Sequence, residues 1–219
     1  MYISVIVPVY NEKETAARSL ERLKQVLSES FEKYEIIAVD DGSTDGTLSL
    51  LAEENVTLIS LGKNRGKGAA VRAGMKYAEG DWAFFTDCDL SYDPEFFAAN
   101  RPLFSECDVI IGERNGKYPV MRKICSCAYN SAAKLLLGIK ARDIQCGIKG
   151  FDKKAYKALF SESTTDGFAF DTEILMLAEK NGFSVVQKPA VMIHRKGSGV
   201  RLRPALRMAL DIVKMRAEK

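Results

Sequence analysis

Two carboxylates two residues apart, Asp87 and Asp89, follow the apolar run Trp82-Ala83-Phe84-Phe85-Thr86, with Cys88 between them. In extended chain, residues i and i+2 project to the same side. Carboxylates so placed repel unless one is protonated or a cation lies between them. Mg2+ and Mn2+ favour oxygen ligands and bridge a carboxylate to a diphosphate. The competing reading is a pair of solvated loop acids; the aromatic, buried strand ahead of them favours the cation.

Two further segments carry chemistry. Asp40-Asp41-Gly42-Ser43-Thr44-Asp45-Gly46 follows a β-branched run. Its acids suit ribose hydroxyls or a base N–H, although a glycine turn with a helix cap would also use them. Gly62-Lys63-Asn64-Arg65-Gly66-Lys67-Gly68 precedes a helical pattern. Backbone N–H groups at a helix start favour phosphate, and Lys67 or Arg65 would add charge. The segment is neither a Walker A sequence nor a dinucleotide fingerprint. His194 is the only histidine, so a histidine-based metal site or triad is not expected, and a structural or loop role is favoured.

These groups need strands and helices to hold them. Residues 3–9, 34–39, 56–60, 82–86 and 109–111 read as short buried strands. Between them, 12–29, with Ala16, Leu20, Leu23 and Leu27 at helical spacing, and 67–79 read as helices. Ser43 or Thr44 is a candidate cap for a helix over 45–54. Asp93-Pro94-Glu95 marks another helix start. Regular alternation to about residue 111 predicts a mostly parallel sheet with helices on both faces, binding ligands at the carboxyl ends of its strands. The acidic motifs fall at those ends. Beyond 118 the spacing predicts helices over 120–137, ending at Gly138, and over 171–181, strands at 147–151 and 184–193, and a closing basic helix over 203–217. On that helix Leu202, Ala205, Leu206, Met208, Ala209, Ile212, Val213 and Met215 share one half, while Arg203, Arg207 and Lys214 oppose them; Leu210 and Arg216 break the pattern. Its apolar half either packs on the sheet or lies on a membrane.

Length bounds the chain to one domain, 1–219, with 47% apolar and 28% charged residues. Residues 1–113 hold 11 Lys+Arg against 20 Asp+Glu, and residues 114–219 hold 21 against 9. The acidic half suits a bound cation and the basic half an anionic substrate or membrane surface. Cys88, Cys107, Cys125, Cys127 and Cys146 fit no zinc spacing and read as reduced, mostly buried thiols of a cytoplasmic protein. No leader pattern opens the sequence, and no apolar stretch nears the ~20 residues of a spanning helix, so a soluble or peripheral protein is expected. No recognition-helix or zinc motif points to nucleic acid. Oligomeric state is left open.

Taken together, Val7-Pro8-Val9-Tyr10-Asn11-Glu12, Asp40-Asp41-Gly42-Ser43, Asn64-Arg65-Gly66-Lys67-Gly68 and Asp87-Cys88-Asp89 resemble the family-2 glycosyltransferases in order and spacing. Arg142-Asp143-Ile144-Gln145-Cys146-Gly147-Ile148-Lys149 resembles the R-D-x-Q-C-G-x-K segment of the dolichyl-phosphate glucosyltransferase branch. Phe168-Ala169-Phe170-Asp171-Thr172-Glu173-Ile174-Leu175 and Gly197-Ser198 do likewise, with dolichyl-phosphate mannose synthases next. Ser91, where mannose synthases often carry Gln, weakens the mannose reading.

The resemblance implies a single GT-A, Rossmann-like domain. Residues 1–113 would form the nucleotide-sugar half and 114–219 the acceptor half. The donor is a nucleotide-diphosphate sugar, UDP-glucose favoured and GDP-mannose next, and the acceptor a polyprenyl phosphate, with inversion at the anomeric carbon. The donor site would comprise Pro8, Tyr10, Glu12, Asp40, Asp41, Lys67, Asp87, Cys88 and Asp89, with Mg2+ or Mn2+ on Asp87 and Asp89. Arg114, Arg122, Ser126, Gln145 and Lys149 would hold the acceptor phosphate, at the cytoplasmic face of an anionic membrane. A phosphate acceptor, largely ionised near neutral pH, needs no protein base. A sugar hydroxyl, as in polysaccharide assembly, would need one, from Asp171 or Glu173. A nucleotidyltransferase also joins such a sheet to paired acids.

Overall fold

The computed structural model describes residues 1–115, 120–193 and 211–217, with backbone only at 115 and 120–125. The elements are β1 (Tyr2–Val9), α1 (Ala16–Ser30), β2 (Lys33–Asp40), α2 (Thr47–Glu53), β3 (Thr57–Ser60), α3 (Lys67–Tyr77) and β4 (Trp82–Thr86). Then come α4 (Glu95–Ala99), a 3-10 turn (Arg101–Ser105), β5 (Val109–Asn115), α5 (Val120–Leu137), β6 (Ile148–Asp152), α6 (Lys153–Glu162), α7 (Phe170–Lys180) and β7 (Val185–Val191). The strands form one sheet in the order β3-β2-β1-β4-β6-β5-β7. Pairs β1–β2, β1–β4, β2–β3 and β5–β7 are parallel; β6 runs against both β4 and β5. The expected mostly parallel sheet is what forms.

That order positions the chemistry. The chain leaves β1 toward β2 and β3, then returns to lay β4 on the other flank of β1. The crevice at such a reversal is where open α/β sheets bind ligands. Pro8 stands beyond the last β1–β4 pair, Ile6 with Phe85, so its missing N–H breaks no ladder on that side. Because β6 is reversed, its start meets the end of β4, with Thr86 opposite Ile148. Residues 145–147 are thereby brought to the acids that follow β4.

Side-chain alternation along the strands divides the core in two. Ile6, Ile37, Val39, Phe85, Ile111 and Phe151 face α3, α5, α6 and α7. Val5, Val7, Ala38, Phe84 and Ile110 face α1 and α4. On the second face Trp82, Phe84, Phe97 and Phe104 form an aromatic stack with centroids 4.5–5.8 Å apart.

Several expectations change. Helix α1 starts at Ala16 rather than 12, because the N–H groups of Asn11, Glu12 and Lys13 bond to Ser43, Thr47 and Asp45. Ser43 therefore does not cap α2; Gly46, at φ 90°, precedes it and the Asp45 carboxylate accepts from Thr47 N. Helix α6 was not expected, yet Asp152 caps it, accepting from Ala155 N at 2.6 Å, and Ala155, Tyr156, Leu159 and Phe160 fill its buried face. Of the helix expected over 203–217, residues 211–217 are helical. Ile212 and Met215 are buried in the first core, so this part of the apolar half packs on protein, whereas Val213 is exposed. Residues 203–210, Arg203 and Arg207 among them, lie outside the described residues, as do His194, Gly197 and Ser198. Cys88, Cys107 and Cys146 are buried thiols outside any disulfide, while Cys127 is exposed. Among the described residues no helix is long and apolar enough to cross a membrane.

The antiparallel insertion of β6 depends on a small residue. A Cβ on Gly150 would fall on the ring of Phe84, which has no exposed surface. Gly150→Ala is therefore expected to destabilise the fold by about 1–3 kcal/mol through overpacking, read as a lower urea midpoint with unchanged slope.

Candidate active site

Three loops at the carboxyl ends of β1, β2 and β4 form one side of the site. The first two are laced together: Asn11, at φ 52°, takes Thr44 N on its side-chain oxygen at 2.8 Å and gives its own N–H to Ser43 Oγ at 2.9 Å. Tyr10 stands 46% exposed at their edge, beside half-buried Pro8. The Glu12 carboxylate accepts from Thr15 Oγ1 at 2.5 Å. Asp40 and Asp41, expected to face a nucleoside, are almost wholly buried and serve the loops themselves. Asp40 accepts from Gly42 N and Ser43 N at 3.1–3.3 Å. Asp41 accepts from Arg65 N and Gly66 N at 2.7 and 2.8 Å, clasping the 62–66 loop to the 40–46 loop. Gly42 is obligatory at their contact: its φ is 74°, and a Cβ there would strike Lys63 backbone.

The helix-start phosphate site expected at α3 is partly taken up by the protein's own acceptors. Besides the N–H groups of Arg65 and Gly66, that of Ala69 is bonded, to Asp166 O at 3.2 Å. Gly66 and Gly68 are glycines because Asp166 and Thr165 carbonyls lie where a Cβ would be. Arg72 pins the same segment, donating to Thr165 O at 3.1 Å and pairing with Asp166.

Lys67 instead reaches Asp87, with Nζ 2.5 Å from Oδ1. The ammonium lies 5.7 Å from the ring centres of both Phe85 and Phe170. Burial opposes its charge, but Asp87 and then Asp171 outweigh burial and push its pKa up to about 12. The second Asp87 oxygen lies over Gly147, where any Cβ would collide with it. Asp89 is held differently: its Oδ1 accepts from Ser91 N at 3.0 Å and Ser91 Oγ at 2.8 Å. Ser91 thus orients an acid, as outer groups around a metal do. Cys88, expected within the donor site, is instead buried in the second core; residues 87–90 are not extended as expected but form a turn, with Leu90 N bonded to Asp87 O at 3.0 Å.

These acids fit a hard divalent cation. Asp89 Oδ2 has no partner among the described residues, and Asp87 is one-third exposed beside it in sequence. Among the described residues no group of three or more His, Cys, Asp and Glu is placed to hold a metal. Mg2+ does not require one, since it binds through one or two carboxylates plus substrate phosphates and keeps several waters.

On the other side, the start of α7 presents Asp171 and Glu173. Asp171 pairs with Lys149, which has no exposed surface and also donates to Cys146 O at 2.6 Å. Lys149 therefore holds Asp171 and does not reach the acceptor side as expected. Asp87, Lys67, Asp171 and Lys149 form a row of alternating charge beneath the crevice. Glu173, the other candidate base, accepts from Ser163 Oγ, Thr164 N, Thr164 Oγ1 and Thr165 N at 2.6–3.1 Å. Its carboxylate builds the segment that covers the start of α3. Burial pushes the Cys146 thiol up to about 12, so it stays neutral.

The structure brings Arg114, Ser126 and Gln145 together and adds Asp143. Arg114 Nε and Nη2 each lie 2.7 Å from an Asp143 oxygen, a bidentate pair, and Nη2 also donates to Ser126 Oγ at 2.8 Å. Ser126 Oγ is 3.5 Å from Gln145 Oε1. The Arg122 side chain lies outside the described residues. The sequence reading missed Asp143 and Gly147 as working residues, although both stand in the segment 142–149 it singled out. A cavity of about 580 Å3 lined by Glu113, Lys140, Arg142, Glu179 and Gln187, among others, includes none of these carboxylates and takes no part in the site.

Comparison with known proteins agrees with this architecture. The model of the family described as Glycosyl transferase family 2 matches residues 4–160. Dolichyl-phosphate beta-glucosyltransferase of Dictyostelium discoideum is 29% identical over 99% of this chain and 74% of its own. Dolichyl-phosphate beta-glucosyltransferase ALG5A of Trichomonas vaginalis is 28% identical over 98% and 73%. Among solved structures, glucosyl-3-phosphoglycerate synthase from Mycobacterium tuberculosis, in complex with Mn2+ and UDP-glucose, superposes with a TM-score of 0.75 at 21% identity, covering 98% and 78%. Mannosyl-3-phosphoglycerate synthase from Rubrobacter xylanophilus gives 0.76 at 18%, covering 100% and 73%. The structural likeness establishes the GT-A fold; the family match, over more than half the residues, makes this chain a member of glycosyl transferase family 2 and hence a glycosyltransferase.

Proposed function

We propose that this enzyme transfers a hexose, glucose in preference to mannose, from a nucleotide-diphosphate sugar to a polyprenyl phosphate, with inversion. The observation that carries the reading is Asp87 lying on Gly147. It sets the acid pair of the donor motif directly against the 142–149 segment, the part of the sequence most like the dolichyl-phosphate glucosyltransferases. Those relatives are named for a dolichyl-phosphate acceptor and a β-linked glucose. A structural neighbour binds UDP-glucose with Mn2+.

In this reading the nucleoside lies against the laced 8–12 and 40–46 loops, with Tyr10 at its edge. Asp40 and Asp41 act through the loops they hold. Asp87 and Asp89 hold Mg2+ or Mn2+, which supplies charge neutralisation to the departing diphosphate. An acceptor phosphate oxygen attacks the anomeric carbon from the face opposite the diphosphate. The bond to the diphosphate breaks, and the nucleoside diphosphate leaves with the electron pair. A phosphate monoester, with a second pKa of ~6, attacks without a base. Asp171, 5% exposed and paired with Lys149, suits holding a cation better than abstracting a proton from a sugar hydroxyl. The acceptor phosphate is read by the Arg114–Ser126–Gln145 cluster together with Arg122.

A lipid acceptor also suits the edge of the site. Val191, the last residue of β7, and Ile193, just beyond it, are 62% and 43% exposed, and Ile193 N bonds to Ser91 O in the acid loop. Phe168, just before α7, is 55% exposed. With the basic second half, they favour a peripheral position on the cytoplasmic face of an anionic membrane.

The direct test is a transfer screen of UDP-glucose and GDP-mannose with Mg2+ or Mn2+ and a short polyprenyl phosphate. Transfer only to sugar hydroxyls would overturn the acceptor assignment. Asp89→Ala is expected to lower transfer about 10²–10³-fold with an unchanged circular dichroism spectrum; full activity in chelator would remove the metal. Gly147→Ala, which displaces the Asp87 carboxylate, should cost roughly 10²-fold in kcat with little change in melting temperature. Asp171→Asn leaves Lys149 buried without its partner and should cost about 3–5 kcal/mol of stability, read by urea unfolding.

A further inference from the structure

The site already contains a cation. Lys67 Nζ is 2.5 Å from Asp87 Oδ1, and the other Asp87 oxygen lies over Gly147, so one oxygen of this carboxylate is already paired with a cation before any metal arrives. A divalent ion beside an ammonium is repelled by it. The ammonium also has somewhere to go. Asp171 acts on it electrostatically, and the faces of Phe85 and Phe170, each with its centre 5.7 Å away, favour a cation beside them. The backbone at the start of α3 is fixed by the Asp41 bond to Gly66 N and the Asp166 bond to Ala69 N, so any shift involves the lysine side chain alone.

We propose that Lys67 is a place-holder for the divalent cation: its ammonium occupies Asp87 in the nucleotide-free enzyme and releases it when a nucleotide diphosphate binds, so that metal affinity depends on nucleotide. The diphosphate serves both sides of the exchange. It brings oxygen ligands for the metal and offers the displaced ammonium a new anionic partner. Lys67 is thus a positioning residue whose charge makes the acid pair a poor metal site until the donor is present. This rests on the reading that Asp87 and Asp89 hold the metal.

The test is Mn2+ binding to the full chain, followed by the electron paramagnetic resonance signal of free Mn2+, with and without UDP. In the wild type, UDP is expected to tighten Mn2+ binding by about tenfold or more. Lys67→Met keeps the apolar stem between the two rings and removes the charge. It should bind Mn2+ alone about tenfold more tightly than wild type, with most of the UDP dependence gone. Lys67→Gln should shift in the same direction and serves should the Met variant fail to fold. Lys67→Arg should keep the wild-type dependence. Wild-type Mn2+ affinity and full UDP dependence in the neutral variants would overturn the proposal. Asp89→Ala separates the two levels. If it loses Mn2+ binding while the neutral variants match wild type, the metal site stands and the place-holder falls. If Asp89→Ala binds Mn2+ and UDP like wild type, the metal reading falls and the place-holder with it.

Discussion

The site turns on one carboxylate held from two directions. Asp87 leaves the end of β4, is gripped by the ammonium of Lys67 and presses its other oxygen on the backbone of Gly147. Lys67 comes from the turn into α3, and Gly147 from the approach to β6. Neither neighbour is near Asp87 in sequence, so the contact joins the donor motifs to the second half of the chain. The row continues through Asp171 to Lys149, which is entirely buried. Isolated charges at such depth cost several kcal/mol each, and alternation of sign is what makes the row tolerable. A buried row of this kind fixes geometry more than it adds stability, and geometry is what group transfer requires.

The acidic first half has a second use besides charge. Asp40 and Asp41 are each bonded to backbone N–H groups of the loops around them, and Glu173, from the other half, does the same for residues 163–165. Loops at strand ends have few ladder partners for their N–H groups, and carboxylates supply them. The 163–165 segment then leads to the carbonyls that cover the start of α3. The crevice walls are therefore held by buried acids, while Asp87 stays one-third exposed.

Much of this was legible in the residues. The β-branched runs, the acids at their ends and the glycine-rich turn were enough to give the parallel half of the sheet and the crevice. Helix α6 was also written in the sequence, as Asp152 before apolar residues at helical spacing, but its short length and its position directly after β6 hid it. What motifs do not show is which partner a charged group chooses. Lys149 reads as a ligand for a phosphate and is sealed against Asp171; the glycine-rich turn reads as a phosphate cradle, yet the N–H groups of Arg65, Gly66 and Ala69 go to Asp41 and Asp166. Partners of that kind are distant in sequence, and only the sheet order brings them together.

The reversed strand makes the second half useful to the first. Had β6 run parallel to β4, its carboxyl end would have met the acids, and residues 145–147 would lie at the opposite edge of the sheet. Antiparallel pairing, with Thr86 opposite Ile148 and Trp82 opposite Asp152, delivers Gln145, Cys146 and Gly147 to Asp87 instead. It also sends the far end of β6 into α6, whose return through 163–169 brings α7 and Asp171 back to the same edge. Strand β5, also antiparallel to β6, ends at that edge too and places Arg114 beside Asp143, Ser126 and Gln145. One reversal of direction thus gathers the Arg114–Asp143–Ser126–Gln145 cluster and the Asp87 and Asp89 carboxylates on a single rim.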